Sequence, residues 1–242
     1  PKPGLLGIAS TQREVSRVDA YGTDASALPV KIEVRRYAEP AGTPDRKLEQ
    51  LLYLEGGHVI ADVAASTLEV PVAGKLLTVD RRGSAPPNAD STVSDDARGD
   101  ALFRWTGRLL MDRARGEITM SDTVRLDHRR LSDGTRVELE CNQLTARVRA
   151  QGAIEDQSGS GQLERAVAQG RVWMRAQGRE LTAGEVAYDA PASLVTASGE
   201  PGQTVSLIDL KSGSPFSAKW LSWNIATDRF EALQTQPIIV PR

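Results

Sequence analysis

The sequence is poor in the residues that build disulfides, metal sites and electrostatic contacts with nucleic acid. Its 242 residues include one cysteine and two histidines, and 30 Lys+Arg stand against 32 Asp+Glu. One cysteine cannot form an internal disulfide, and a zinc site of Cys and His ligands at the usual spacing is excluded. A formal net charge of −2 gives no basic footprint for nucleic acid. We therefore expect no metal, no cofactor and no nucleic-acid partner.

Long hydrophobic runs and catalytic constellations are lacking as well. No stretch approaches the roughly 18 uninterrupted apolar residues of a membrane-spanning helix. His58 and His128 are far apart in the chain, with neither HxH nor HxxxH spacing. Cys141 falls on the apolar side of a predicted strand, where a small buried side chain is its simplest interpretation. The sequence therefore predicts a protein that is not an enzyme.

One predicted hairpin carries a cluster of arginines. Arg125, Arg129, Arg130 and Arg136 flank a Ser-Asp-Gly-Thr turn. Such a cluster can meet the phosphate or carboxylate groups of a glycolipid, since arginine binds both in a bidentate manner. The alternative is an ordinary solvated face, which is the commoner outcome. The sequence leaves both interpretations open.

The chain begins with Pro1 and not with methionine, in a run (PKPG) that is typical of the inside of a longer protein. We therefore expect that an N-terminal signal or membrane anchor precedes it.

Alternation with period two dominates the chain and predicts β-strands. Val30, Ile32 and Val34 alternate with charged residues, and glycine-containing turn signals separate this run from later ones of the same kind. Many short strands with turns roughly every 8–12 residues are typical of a sandwich, a jelly roll or an elongated β-solenoid. The fold class predicted from the residues is all-β.

Two stretches depart from this alternation. Residues 44–53 (PDRKLEQLLY) fit either a short amphipathic helix or a loop that leads into a strand. Residues 83–99 are polar, carry two prolines and have one sizeable apolar side chain, so they predict a long loop or linker. This divides the chain into an N-terminal β region (1–82), a polar linker (83–99) and a β-repeat region (100–242), although strands from both sides can share one sheet.

A weak internal repeat is the most informative feature of the second region. Units start at Phe103, Leu144, Leu181 and Phe216, at spacings of 35 to 41 residues. Each unit predicts a strand, a tight polar turn and a second strand. Three of the units align into four apolar columns: Leu109, Val186 and Leu221; Met111, Tyr188 and Trp223; Ile118, Val195 and Phe230; Met120, Ala197 and Ala232.

The alternation slips by one residue inside two of these units. Leu181 and Ala183 share one parity, whereas Val186 and Tyr188 have the other. An extra residue near Gly184, and another near Lys219, would keep the apolar side facing inward, as a β-bulge does. Since bulges bend strands, we expect a strongly curved sheet.

The succession of short motifs in this region resembles a known family. LERAVAQGRV at 163–172 is followed by LTAG at 181–184, AYD at 187–189 and VTASG at 195–199. This order is similar to that of the OstA-like lipopolysaccharide-transport family, which includes a periplasmic bridge protein and the N-terminal domain of the outer-membrane translocon. Residues 107–124 and 137–146 resemble further strands of the same family, so that the resemblance covers about 101–235.

The resemblance implies a half-open, curved β jelly roll, stacked from V-shaped antiparallel strand pairs. It also implies a hydrophobic groove that shields acyl chains, and edge strands that pair with other β-jelly-roll proteins of the envelope. The residues that the resemblance implies for the groove are Leu109, Met111, Ile118, Met120, Val186, Tyr188, Val195, Leu221, Trp223 and Phe230.

The predicted architecture leads to two hypotheses about function. The first is a non-enzymatic protein of the periplasm or cell envelope that binds or bridges lipopolysaccharide or a similar amphipathic lipid, as part of outer-membrane biogenesis. The alternative is a structural β scaffold with a closed core, which pairs with partners through edge strands. Inward alternation is common to both. A glycan-binding or glycoside-active solenoid is a weaker third option, since no carboxylate pair recurs at matching strand positions.

Overall fold

The computed structural model describes residues 16–22, 28–38, 47–81, 98–149 and 162–236. These residues form antiparallel strands joined by short turns, and they contain no helix, hence none that could span a membrane. The all-β prediction is confirmed. The strands are β1 (Arg17–Tyr21), β2 (Val30–Ala38), β3 (Lys47–Gly56), β4 (His58–Asp62), β5 (Thr67–Val70), β6 (Gly74–Asp80), β7 (Gly99–Trp105), β8 (Leu109–Asp112), β9 (Glu117–Arg130), β10 (Arg136–Arg149), β11 (Gln162–Ala176), β12 (Arg179–Asp189), β13 (Leu194–Ser198), β14 (Val205–Asp209), β15 (Pro215–Asn224) and β16 (Arg229–Gln236).

The segment that suggested a short helix lies in a strand. Its described part belongs to β3, which pairs with β2 on one side and β6 on the other. Gln50, Leu54 and Gly56 are buried at even positions, so the chain follows a period of two. The strand alternative was therefore correct, because neighbours on both sides of β3 satisfy its backbone hydrogen bonds, which outweighs a weak local preference for helix.

All strands belong to one folded sheet, whose two halves we call limb A and limb B. Limb A contains β1, β4, β5, β8, β13 and β16, and limb B contains β2, β3, β6, β7 and β14. Four long strands, β9 to β12, cross from one limb to the other, and β15 does the same near the C-terminus. The cross-section is a V, and the half-open β jelly roll is confirmed.

A line of register breaks marks the bottom of the V; we call it the fold line. Cys141 of β10 pairs with Val124 of β9, and Leu144 pairs with Met120, which is three steps along β10 against four along β9. β9 takes up the extra residue at Asp122 and Thr123, whose φ angles of 61° and 51° are left-handed. Two left-handed residues in a row turn the strand sharply, and so let the sheet bend here.

The same break recurs between β11 and β12. Gln169 pairs with Glu185 and Val172 with Ala183, which is three steps along β11 against two along β12. The extra residue lies in β11, at Gly170 and Arg171 with φ of 75° and 48°, and not at Gly184 as the parity slip had suggested. The slip itself is real, since Leu181 and Val186 are both buried. Bulges on alternate strands therefore produce the predicted curvature.

The sheet is continuous across the two halves of the chain. β6 pairs with β7 along its whole length, and β5 pairs with β8. Strands from before and after the polar segment 83–99 are thus hydrogen-bonded neighbours. Of that segment, only Arg98 and Gly99 are among the described residues, so the linker between 1–82 and 100–242 stays a prediction.

Replacing Gly170 with alanine tests the fold line. A Cβ at Gly170 would lie 2.6 Å from the Asn142 amide nitrogen and 3.0 Å from its Cβ. Gly213, with φ of 68°, is left-handed too but has nothing within 4 Å of an added Cβ, which makes Gly213→Ala a matched control. Both variants strain the backbone, whereas only Gly170→Ala overpacks the bend. We expect urea denaturation to show that Gly170→Ala lowers the free energy of unfolding by about 1–3 kcal/mol more than Gly213→Ala does. Equal losses would contradict a tightly packed fold line.

Candidate functional site

The ten predicted groove residues all lie on the inner face of limb A, in two adjoining cross-strand columns. We call the column nearer the fold line the base column and the other the rim column. In the base column Leu109 pairs with Met120, and Ala197 pairs with Val186 on one side and Leu221 on the other. The rim column joins Met111 to Ile118 and runs from Tyr188 through Val195 and Trp223 to Phe230.

The two columns differ in burial. Leu109, Met120, Val186 and Leu221 of the base column are at most 5% exposed. In the rim column Met111, Ile118, Tyr188 and Phe230 are partly exposed, while Val195 and Trp223 are buried. Side chains thus fill the bottom of the V, whereas four of the six rim residues keep part of their apolar surface exposed.

Limb B supplies an apolar column that the set of predicted groove residues leaves out. It crosses the limb in register from β3 to β15. Its members are Leu54, Leu76, Phe103, Leu126, Leu139, Met174, Leu181, Leu207 and Phe216. Three of these, Phe103, Leu181 and Phe216, are the unit starts of the sequence repeat, so the repeat already contained the signal. The fourth unit start, Leu144, lies in limb A opposite Met120.

The inner faces of the two limbs pack into one core. Leu54, Leu139 and Leu181 of limb B belong to the same buried cluster as Leu109 and Leu221 of limb A. Burial of these side chains removes apolar surface from water at roughly 25 cal/mol per Å² and holds the limbs together at the base. Any opening between the limbs is therefore confined to their tips.

The tip of each limb is its end farthest from the fold line. The inner face of limb B is more polar at the tip than near the fold line. Beyond the apolar column, the inner face carries His128, which is opposite Ala101 and Val137, and Arg179, which is opposite Ala176 and Asp209. The His128 Nε2 atom is buried and has no hydrogen-bond partner. Burial, together with the positive charge of Arg130, lowers the pKa of His128 below its usual 6.5. The imidazole is therefore neutral at physiological pH.

This lowered pKa predicts a loss of stability on mild acidification. The unfolded chain takes up the proton near pH 6.5, whereas the folded chain resists it, so that protonation favours unfolding. A hydrogen bond with the Arg98 backbone and the negative charges of Asp100 and Asp127 raise the pKa of His128, but they only partly offset the effects of burial and of Arg130.

We expect the free energy of unfolding of the native chain to fall between pH 7.5 and 5.5, measured by urea denaturation. His128→Gln should flatten that slope, because the titrating group is gone. The carboxylates Asp127 and Asp133, whose pKa values the neighbouring Arg136 and Thr135 lower, lose their partners only at more acidic pH and do not interfere. If the free energy of unfolding changed equally with pH in the native chain and in His128→Gln, His128 would not be the group that titrates.

Three of the four clustered arginines of the β9–β10 hairpin are paired with carboxylates, and the pairs of Arg125 and Arg136 lie on the outer face of limb B. Arg136 Nη2 lies 2.7 Å from Asp127 Oδ2, and Arg125 Nε lies 3.0 Å from Glu140 Oε2. Arg130 Nη1 reaches Asp133 at 3.0 Å. These pairs favour the solvated-face interpretation over a phosphate site.

The thiol of Cys141 has low reactivity. Burial raises the pKa of the Cys141 thiol to about 11, so that it stays protonated and is a poor nucleophile. It borders a crevice of about 340 Å³ on the fold line, whose other lining residues are Thr123, Glu140, Asn142 and Arg171. This polar crevice is unsuited to hydrocarbon.

Comparison with known proteins finds a distant likeness among solved structures. No family model matches the sequence, and no curated protein matches it either. Among solved structures, the chain is similar to the crystal structure of LptH, the LptA homologous periplasmic component of the conserved lipopolysaccharide transport device from Pseudomonas aeruginosa. The two share 13% identity at a TM-score of 0.44, over 62% of this chain and 93% of that chain.

Proposed function

We propose that this protein is a non-enzymatic component of the periplasm or cell envelope that holds the acyl chains of an amphipathic lipid, such as lipopolysaccharide, between its two limbs. The observation that carries the proposal is the rim column. Met111, Ile118, Tyr188 and Phe230 point into the V but are not fully covered by limb B. Apolar side chains that line a cleft without filling it are suited to a flexible hydrocarbon ligand.

Binding of an acyl chain at such a site does not require specific polar contacts. Each methylene that moves from water onto the rim gains about 0.8 kcal/mol, so that a few methylenes per chain give useful affinity. The base column supports the rim from below, because its buried side chains keep the strands of limb A in place. The sequence motifs that resemble the OstA-like family lie on these same strands.

Photo-crosslinking from single positions tests the site. A photoreactive residue at Ile118 or Met111 lies on the inner rim, whereas Thr119 and Leu110, the next residues along the same strands, face outward and serve as matched controls. We expect Ile118 and Met111 to crosslink to labelled lipopolysaccharide at least several times more than the controls, because side chains alternate between faces.

Equal crosslinking from all four positions, or none from the rim, would contradict the lipid site. In that case the scaffold hypothesis takes its place.

The second candidate is the closed-core scaffold. The observation in its favour is the buried cluster that spans both limbs, since packing across the base occurs equally in a protein with no ligand. Its partners, like those of a lipid bridge, would be other β-jelly-roll proteins of the envelope that pair with the edge strands.

The edge strands support pairing in either case. Among the residues that the structure describes, β1 and β16 are the outer strands of limb A, paired with β4 and with β15 respectively, and β2 is an outer strand of limb B. Large apolar side chains stay exposed there, with Tyr21 at 67%, Val34 at 48% and Leu233 at 63%. An exposed edge with apolar side chains can accept a further strand.

A charge on β16 tests edge pairing. We expect Leu233→Lys to weaken association with a second copy of this chain, or with another envelope β jelly roll, by roughly tenfold, since lysine on an edge opposes strand addition. Leu210→Lys is the matched control, because Leu210 is also exposed, at 45%, but lies in a turn. Analytical ultracentrifugation measures the association. Equal weakening by both variants would indicate a nonspecific hydrophobic effect and contradict pairing through β16.

A further inference from the structure

The tips of the two limbs touch at the C-terminal end of the cleft. Arg179 lies at the start of β12, at the tip of limb B, and Asp228 lies in the β15–β16 turn at the tip of limb A. The Arg179 guanidinium donates two hydrogen bonds to the Asp228 carboxylate, at 2.6 and 2.9 Å. The neighbouring Gln177 side chain donates to the Ile225 carbonyl at 3.4 Å. The contact therefore spans the opening of the V.

The same arginine covers the aromatic end of the rim column. Its guanidinium carbon lies 4.8 Å from the centroid of the Phe230 ring and 5.6 Å from that of Trp223. The two rings are stacked at 5.3 Å, and the Trp223 indole donates to Asp228 at 3.2 Å. Arg179 thus joins a carboxylate and two aromatic faces, which explains why Trp223 is buried while much of the rim is partly exposed.

We propose that Arg179 and Asp228 form a latch that closes the C-terminal end of the cleft, so that an acyl chain reaches the Trp223–Phe230 surface only when the latch opens. The acyl ligand rests on the proposed function, whereas the latch rests on the contacts between the limbs alone. Asp228 adopts a left-handed φ of 54°, a conformation that aspartate tolerates better than most residues and that aims its carboxylate at limb B.

The contact is suited to opening. The Asp228 side chain is 52% exposed and that of Arg179 is 19% exposed, so that water hydrates the charges when they part. Once released, Arg179 faces Asp209, its cross-strand partner on β14, and so keeps a carboxylate within its own limb. An exposed ion pair with a cation–π contact contributes only modestly, and such a latch opens without unfolding the base.

Spin-label distances across the tips test the latch without any ligand. Ala226 and Ser212 are exposed, on the tips of limbs A and B, and each takes a label after replacement by cysteine in a Cys141→Ala background. We expect a narrow distance distribution for the parent and longer distances in Asp228→Asn, with a roughly three- to tenfold larger open population. Asparagine keeps the left-handed turn and removes only the charge. Arg179→Lys should be intermediate, because it keeps the charge and loses the bidentate fork.

Asp127→Asn is the matched control, since it breaks an Arg–Asp pair of the same kind on the outer face, within limb B. Identical distance distributions in the parent and Asp228→Asn would overturn the latch, as would an equal change in Asp127→Asn.

The ligand step is measured with cis-parinaric acid, through energy transfer from tryptophan. We expect Asp228→Asn to bind the probe about three to ten times faster than the parent and Asp127→Asn to match the parent. Unchanged rates in Asp228→Asn would show that the latch does not control access and overturn the proposal. If no protein binds the probe, the lipid site fails, and the spin-label distances alone decide whether the limbs are latched.

Discussion

The fold depends on keeping apolar side chains on the inner face of four strands that pass from one limb to the other. Neighbouring strands follow paths of different length around the bend, so that β9 and β11 need one residue more than β10 and β12. The pairs Asp122–Thr123 and Gly170–Arg171 absorb it in left-handed conformations. Without that extra residue, one limb of each strand would slip in register, and every side chain on it would change face. The common core across both limbs requires these bulges.

The sequence alone indicated more about limb A than about limb B. The repeat aligned the residues that follow the fold line in each unit, and after the bend these lie side by side in limb A. Inward-facing residues such as Val186 and Leu221 were identifiable because strand alternation is a local property. The bend was detectable as a parity slip, but not the strand that carries the extra residue. Gly184 and Gly170 both come near the fold line, and only the pairing of β11 with β12 distinguishes them.

Contacts between the limbs were beyond prediction for a different physical reason. Arg179 and Asp228 are 49 positions apart, in segments with ordinary turn composition, and nothing in either segment indicates the other. Such contacts depend on how far the sheet bends, and that angle is a property of the packed core. Periodicity gives the face of a residue, whereas the bend decides which faces meet.

The division between base and rim separates stability from access. Moving the buried base apart would expose large aliphatic side chains, at about 1.5–3 kcal/mol for each, so that the base does not open under native conditions. A buried ion pair in that position would also resist opening, since separating its charges leaves them unpaired at a cost of about 3–5 kcal/mol. Arg179 and Asp228 avoid both costs because water reaches Asp228. Their contact is worth about 1 kcal/mol or less, which thermal motion can break. A latch of this strength keeps the aromatic end covered most of the time and still releases it for a ligand whose own burial gains only a few kcal/mol.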